Sequence, residues 1–237
     1  MNTKKENKIV YTPEVKREKA LAYLKEKCNE EFVATAMSGS GWGQGQDKIY
    51  IHPKNGTQED TFAVWGNICE DGSYAMSDGY FGVIIHDKYE AVISSFVKDT
   101  YKDFKLNTTF GSGIVFSDRF NKSTKINEIY NKNEVFRSDI DLFVKKSSAE
   151  GIDIDESLKK IALKMKEEKL PCVITIYIVY DDKYETSSLS TLMKEEGEDY
   201  FTNDSRKYIR VSRNLEVGVV EKWTITYIIS RKIATNK

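Results

Sequence analysis

The chain has few cysteine and histidine residues, and each scarcity excludes a kind of protein. It contains three cysteines and two histidines among 237 residues. The widely spaced cysteines, Cys28, Cys69 and Cys172, predict free thiols, because a disulfide framework needs an even and more closely spaced set. Two histidines, His52 and His86, are too few for a histidine-rich metal site.

Long apolar runs and a strong charge imbalance are also missing. No segment approaches the roughly 18 apolar residues that a membrane-spanning helix requires. The net charge of -1 gives no support for binding nucleic acid or an anionic membrane through bulk electrostatics. Residues 1–11 form a polar, flexible tail without the apolar centre of a signal peptide, so we expect a cytoplasmic location. An extracytoplasmic location is the alternative if an export signal was removed.

Hydrophobic periodicity predicts a soluble α+β protein. The expected order of elements is αββββαβ followed by βαβ(α)ββ, in which several strands precede each crossover helix. We therefore expect two related lobes, each a mixed or antiparallel sheet with a crossover helix packed on it, and one continuous sheet is the alternative. The predicted boundaries are 12–118 for the first lobe, 119–134 for a connecting loop and 135–237 for the second lobe.

Three local predictions bear on later results. Residues 80–85 are predicted as a strand, followed by a helix that Asp87 caps. Residues 136–144 alternate between apolar and polar, which predicts a strand with Ile140 and Leu142 facing the core. Residues 223–229 alternate in the same way and predict the last strand.

One constellation has the residue types of a catalytic site. Gly111 and Ser112 follow a predicted strand, and Asp139 and Asp141 stand on a later one. This pattern resembles the nucleotidyltransferase fold, and the resemblance implies a Gly-Ser turn at nucleotide phosphates and two aspartates holding Mg²⁺. Carboxylates at positions i and i+2 of a strand point the same way, which suits a shared metal.

Two features weaken the catalytic interpretation. The connection between Ser112 and Asp139 is long and looks like a loop rich in Asn and Lys. A third carboxylate would have to come from Asp181 or Asp182, beyond the end of their strand. The favoured interpretation is an edge strand whose solvated face carries Arg137, Asp139 and Asp141, because a local motif without its structural context is weak.

Two further candidates are weaker. The loop at 38–46 places glycines around Trp42, which would present an aromatic anchor to a partner or pack back on its own sheet. A cysteine–histidine nucleophile would need Cys28, Cys69 or Cys172 beside His52 or His86. Cys28 and Cys172 look like core residues, and the acidic neighbours of Cys69 would raise the pKa of its thiol.

Several stretches also resemble uncharacterised proteins of Gram-positive bacteria, which are often lipoproteins or cell-envelope proteins without an assigned activity. These stretches are residues 17–27, 30–32, 80–84, 87–90 and 175–184. The resemblance implies no catalytic residues, and this chain lacks a lipobox.

The sequence as a whole predicts a non-catalytic binding or interaction protein without a cofactor. Its partner would be an unknown protein or small ligand, contacted through the Trp42 loop or the long loop within 112–135. The alternative is a metal-dependent nucleotidyltransferase that uses Gly111, Ser112, Asp139 and Asp141 with Mg²⁺.

Overall fold

The computed structural model describes residues 11–40, 45–110, 116–134, 136–202 and 206–219. The chain divides into two compact units. One unit comprises Met1–Ile85 with Ser112–Ser123, and the other comprises His86–Gly111 with Thr124–Lys237. Among the described residues, no helix combines the length and the apolar character needed to cross a membrane.

The first unit is built on an antiparallel four-stranded sheet with the order β1-β2-β3-β4. One helix packs on this sheet, and their shared core is apolar. The helix and the strands are α1 (Pro13–Cys28), β1 (Phe32–Ser38), β2 (Asp47–Pro53), β3 (Phe62–Ile68) and β4 (Tyr74–Asp78).

Local sequence explains why α1 begins and ends where it does. The Thr12 side chain accepts a hydrogen bond from the Val15 amide, and Pro13 occupies the first helical turn. Asn29 ends the helix in the left-handed conformation, with φ of 54°. The buried residues Ala20 and Leu24 are one turn apart, so one stripe of the helix faces the sheet.

The second unit is built on a mixed five-stranded sheet with the order β5-β6-β7-β8-β9. Strands β6 and β7 run parallel, and the other pairs are antiparallel. The strands are β5 (Phe104–Thr109), β6 (Ser138–Lys145), β7 (Cys172–Val179), β8 (Lys207–Val211) and β9 (Val217–Val219). Helix α2 (Tyr80–Lys98) begins in the first unit and continues into the second. The other helices of the second unit are α3 (Lys146–Ala149), α4 (Ile154–Glu167), α5 (Asp181–Thr186) and α6 (Leu189–Leu192).

Helix α2 (Tyr80–Lys98) corrects the predicted strand at residues 80–85. Its buried side chains recur every four residues, a helical spacing that includes the supposed strand: Phe81, Ile85, Tyr89, Ile93 and Val97. The Asp78 carboxylate accepts a hydrogen bond of 3.0 Å from the Tyr80 amide, where the helix begins. Asp87 therefore lies within the helix and does not cap it. The β-branched run at 83–85 misled the prediction because short apolar runs fit both structures.

The α+β class is confirmed, because both units combine helices with sheets that are mostly antiparallel. The pairing of β5 differs from the expectation. This strand was assigned to the lobe at 12–118, but it pairs with β6 of the second sheet. Residues 86–111 accordingly belong to the second unit, and the described crossover helix between parallel strands is α4. The strand predicted at 223–229 lies outside the described residues.

Strand β6 is interior, which contradicts the prediction of an edge strand. It pairs with β5 on one side and with β7 on the other. Ile140 and Leu142 face the core as predicted, but Asp141 and Phe143 on the opposite face are also buried, with exposed fractions of 5% and 2%. Alternation alone could not show this, because a strand covered on its second face keeps the same period of two.

Two buried carboxylates, Asp47 and Asp78, form ion pairs with lysines of α1 and attach this helix to the first sheet. Asp47 contacts the Lys16 ammonium at 2.7 Å and accepts hydrogen bonds from the Tyr74 hydroxyl and the Ser40 amide, both at 2.8 Å. Gly66 lies opposite Asp47 on β3, and a Cβ there would meet the Tyr74 hydroxyl at 2.1 Å. Glycine at this position therefore allows the tyrosine to cross the strand and reach Asp47.

We expect Asp47 to make the stability of the first unit depend on acidic pH. Burial alone would raise the pKa of Asp47. The Lys16 ammonium, the Ser40 amide and the Tyr74 hydroxyl together lower this pKa by more than burial raises it, so it lies below its ordinary value. A depressed pKa in the folded state gives stability that is present above the unfolded value, about 3.9, and is lost as the pH falls through the folded value. The difference in unfolding free energy between wild type and Asp47→Asn should be constant above about pH 5 and should narrow below about pH 4.

Urea unfolding at a series of pH values measures this difference. Asp182→Asn is the control, because the Asp182 side chain is 75% exposed and lies 3.9 Å from its nearest lysine. A difference for Asp47→Asn that stays unchanged at pH 3 would contradict the role of the Asp47 charge.

Candidate functional site

The second sheet has one face that is half polar and half apolar. In-register residues of neighbouring strands share a face, so the pairing identifies its members. Asp141 lies between Asn107 of β5 and Thr175 of β7, and Asp139 lies between Thr109 and Val173. We call the following residues the polar half: Asn107, Thr109, Asp139, Asp141, Thr175, Tyr208 and Arg210.

The other half of this face is covered by residues that follow β7. Phe143 and Val179 form a small core with Tyr184, Leu192 and Phe201. The Lys105 ammonium donates hydrogen bonds of 2.6 Å to the carbonyls of Tyr184 and Ser187, which fastens this cover to β5. The covering residues are therefore fixed to the sheet next to the polar half.

The two aspartates of the polar half have different surroundings. Both Asp139 oxygens accept hydrogen bonds from one terminal nitrogen of Arg137, at 3.1 and 3.0 Å. The Arg137 charge therefore offsets the charge of Asp139. Asp141 is 5% exposed and accepts a longer hydrogen bond of 3.5 Å from the Asn107 amide. Asp141 is thus a buried carboxylate on an interior strand.

Tyr177 and Arg206 border the polar half beside its member Tyr208. The Arg206 guanidinium lies 5.3 Å from the ring centroid of Tyr177 and 5.5 Å from that of Tyr208. Burial raises the pKa of Tyr177 and of Tyr208, and the charge of Asp141 raises both further. Both hydroxyls therefore stay protonated near neutral pH and can donate hydrogen bonds.

The structure brings together only part of the predicted catalytic set. Asp139 and Asp141 share the polar half, as their spacing requires, whereas Gly111 and Ser112 lie outside the described residues. Asp181 follows the far end of β7, eight residues beyond Val173, the partner of Asp139. The strand from Val173 to Val179 alone spans about 20 Å, so Asp181 cannot complete a metal site with Asp139.

The neighbouring strand supplies no carboxylate that would help Asp139 and Asp141 hold the Mg²⁺ of a nucleotidyltransferase. Strand β7 contains no Asp or Glu, and Thr175 stands beside Asp141 where a third carboxylate would be useful. Within the described parts of the chain, no group of three or more His, Cys, Asp or Glu side chains is placed to hold a metal ion.

The predicted contact loops have different outcomes. Trp42 lies outside the described residues, so its role stays a prediction. The long loop is described from residue 116 to 134 and contains a single short turn of helix, Ile126–Glu128. Within the first unit, Phe116 and Phe120 pack on the ring of Phe81, with centroids 5.3 and 4.4 Å away. Part of the loop is thus used for internal packing.

The cysteine–histidine candidates do not form a nucleophile. Burial raises the pKa of the Cys28 thiol to about 11, and burial raises that of Cys172 as well. The His52 ring contacts the Pro53 carbonyl at 2.8 Å, and His86 contacts Asp87 at 3.2 Å. In the described ranges, no hydrogen bond joins a cysteine to a histidine.

Sequence reasoning missed Asn107, Arg206 and Tyr208 as members of the site. The alternation in residues 208–211 puts Tyr208 and Arg210 on one face of β8, opposite Ile209 and Val211. The sequence alone does not show which other polar residues share this face. They are brought together only by the pairing of β5 with β6, of β6 with β7 and of β7 with β8.

No protein-family model, curated protein or solved structure matches the chain. The resemblance to envelope proteins of Gram-positive bacteria and the cytoplasmic location therefore stay predictions.

Proposed function

We propose that the protein is a non-catalytic binding protein whose ligand site is the polar half of the second sheet. One observation carries the proposal: Asp141 is buried on an interior strand, next to the buried apolar residues Ile140, Leu142, Phe143 and Val144. A buried carboxylate costs free energy and is weak evidence for a purely stabilising role. Departures from an apolar pattern at such positions are typical of functional sites.

The dimensions of the polar half favour a small ligand. It extends over four strands, β5 to β8, and over two levels of side chains along them. Three strand spacings of about 4.8 Å and one step of about 7 Å give an area of about 100 Å². A protein partner needs about 800 Å² on each side, so a protein would require much additional surface.

Mapping of bound fragments by amide NMR tests this location. The labelled protein is titrated with small organic cations, organic anions and neutral polar compounds, each at millimolar concentration. We expect at least one class to shift the amides of Asn107, Asp141 and Tyr208 together, and Asp141→Asn should change the affinity of that class.

The matched control is Asp155→Asn on α4, because the Asp155 side chain is 74% exposed and pairs with Lys207. Fragments that bind only at other surfaces, or no binding in any class, would defeat the proposal.

The nucleotidyltransferase alternative keeps one favourable observation, the shared face of Asp139 and Asp141 beside the end of β5. An enzyme of this kind would release pyrophosphate from a nucleoside triphosphate in the presence of Mg²⁺. We expect no release that depends on these aspartates. Release that is lost in both Asp139→Asn and Asp141→Asn, but retained in Asp155→Asn, would replace the binding proposal with the enzymatic one.

A further inference from the structure

Two arginines at the polar half form no ion pair within the part of the chain that the structure describes. Arg206 and Arg210 are both exposed, and neither forms an ion pair with a carboxylate of the described residues. Arg210 lies beside Val173 on the same face as Asp139, and Arg206 lies against Tyr177 and Tyr208. Glu196 acts on Arg206 only as the weakest of the charges around it.

The exposed charges on this face are arginines, in spite of the two aspartates. Arg206 and Arg210 are exposed, whereas Asp141 is 5% exposed and the Asp139 side chain is 14% exposed. The Arg137–Asp139 pair is internally compensated by its two contacts at 3.1 and 3.0 Å. The two arginines of the β8 side are therefore the available charges, and they complement an anion.

The aromatic rings beside Arg206 favour a ligand that also carries a flat group. The Arg206 guanidinium lies within 6 Å of two ring centroids, the distance at which a cation interacts with a ring face. An anion that draws the guanidinium towards itself frees the Tyr208 ring face for a flat group of the same ligand. Asn107, Thr175 and the tyrosine hydroxyls supply neutral hydrogen-bonding groups on the same face.

We infer that the polar half binds an aromatic anion, with the phosphate or carboxylate at Arg206 and Arg210 and the ring against Tyr208. This inference rests on the proposed binding function and adds the chemical class of the ligand. Arginine suits both anions, because its planar donors match two oxygens at once. The ring and the charge are therefore the defining features, and the kind of anion is decided by experiment.

Titration with four small probes tests the inference on the full chain. The probes are phenyl phosphate, benzoate, inorganic phosphate and anilinium, and binding is measured by calorimetry and by amide shifts. We expect phenyl phosphate or benzoate to bind at the polar half, inorganic phosphate to bind more weakly and anilinium not to bind there. The stronger of the two aromatic anions identifies the anionic group.

Substitutions separate the contributions of charge and ring. Arg206→Gln and Arg210→Gln should each lower the affinity for the aromatic anion by about 10- to 100-fold, because a hydrogen bond to a charged group is lost. Arg213→Gln is the matched control and should leave the affinity unchanged, since Arg213 donates to the Lys132 carbonyl in the turn after β8. Tyr208→Leu should lower the affinity for the aromatic anion but not for inorganic phosphate. Tyr208→Phe keeps the ring and should retain most of the wild-type affinity for the aromatic anion.

The outcomes distinguish this inference from the proposed function. If anilinium or a neutral fragment shifts the amides of Asn107 and Asp141 and neither aromatic anion binds, the inferred ligand class is contradicted. The polar half would still be the binding site. An aromatic anion that binds elsewhere, with equal affinity in Arg206→Gln and Arg213→Gln, would overturn the ligand class and oppose the site.

Discussion

Replacing Asp78 with alanine is expected to lower the free energy of unfolding by about 3–5 kcal/mol. The Asp78 carboxylate accepts hydrogen bonds of 2.8 Å from both the Tyr23 hydroxyl and the Lys27 ammonium, and it also accepts the Tyr80 amide. Its side chain is 4% exposed, so its removal leaves the buried Tyr80 amide and two partly buried donors on α1 without this acceptor. The loss is large because three donors lose one shared acceptor that is itself buried.

Asp118→Ala is the matched control for Asp78→Ala. Asp118 contacts the same Lys27 ammonium at 2.6 Å, but its side chain is 86% exposed. An exposed ion pair contributes about 0–1 kcal/mol. The urea midpoint should therefore fall strongly for Asp78→Ala and only slightly for Asp118→Ala, and equal effects would show that burial of Asp78 does not determine the result.

Replacing Leu142 with alanine is expected to lower the free energy of unfolding by about 2–5 kcal/mol. Leu142 is fully buried, with an exposed fraction of 0%, at the middle of interior strand β6. It lies between Leu106 on β5 and Ile176 on β7, so a cavity there is surrounded by fixed side chains. Such a site relaxes poorly, and the cost of the cavity adds to the lost burial.

Leu163→Ala on α4 provides the same chemical change at an exposed place. The Leu163 side chain is 40% exposed, and we expect a loss below about 1 kcal/mol. Urea unfolding followed by circular dichroism measures both variants. Similar losses for Leu142→Ala and Leu163→Ala would mean that β6 is not the interior strand that supports the polar half.

Strands and helices with regular local signals could be predicted from the sequence. The capped start of α1, with Thr12 and Pro13, follows from local chemistry alone. The alternation along β6 correctly placed Ile140 and Leu142 in the core. The start of α2 was wrong because an apolar run of six residues carries no decisive period, and its cap at Asp78 also ends a strand.

The candidate site could be predicted only in part. The spacing of Asp139 and Asp141 showed that they share a face, but not that β6 is interior or that Asp141 is buried. Those properties depend on pairing with β5 and β7, which are separated from β6 along the chain. The contribution of β8, with Tyr208 and Arg210, depends on a further long-range pairing that no local pattern specifies.

The stability of Asp141→Val tests the central claim most directly, namely that the buried carboxylate on β6 serves a ligand and not the fold. Valine suits an interior strand, and replacing functional polar groups commonly leaves stability unchanged or raises it by about 0.5–2 kcal/mol. We therefore predict that urea unfolding of Asp141→Val gives a free energy equal to or above that of the wild type. A decrease of about 3 kcal/mol or more, the size expected for loss of a structural buried charge, would contradict the claim.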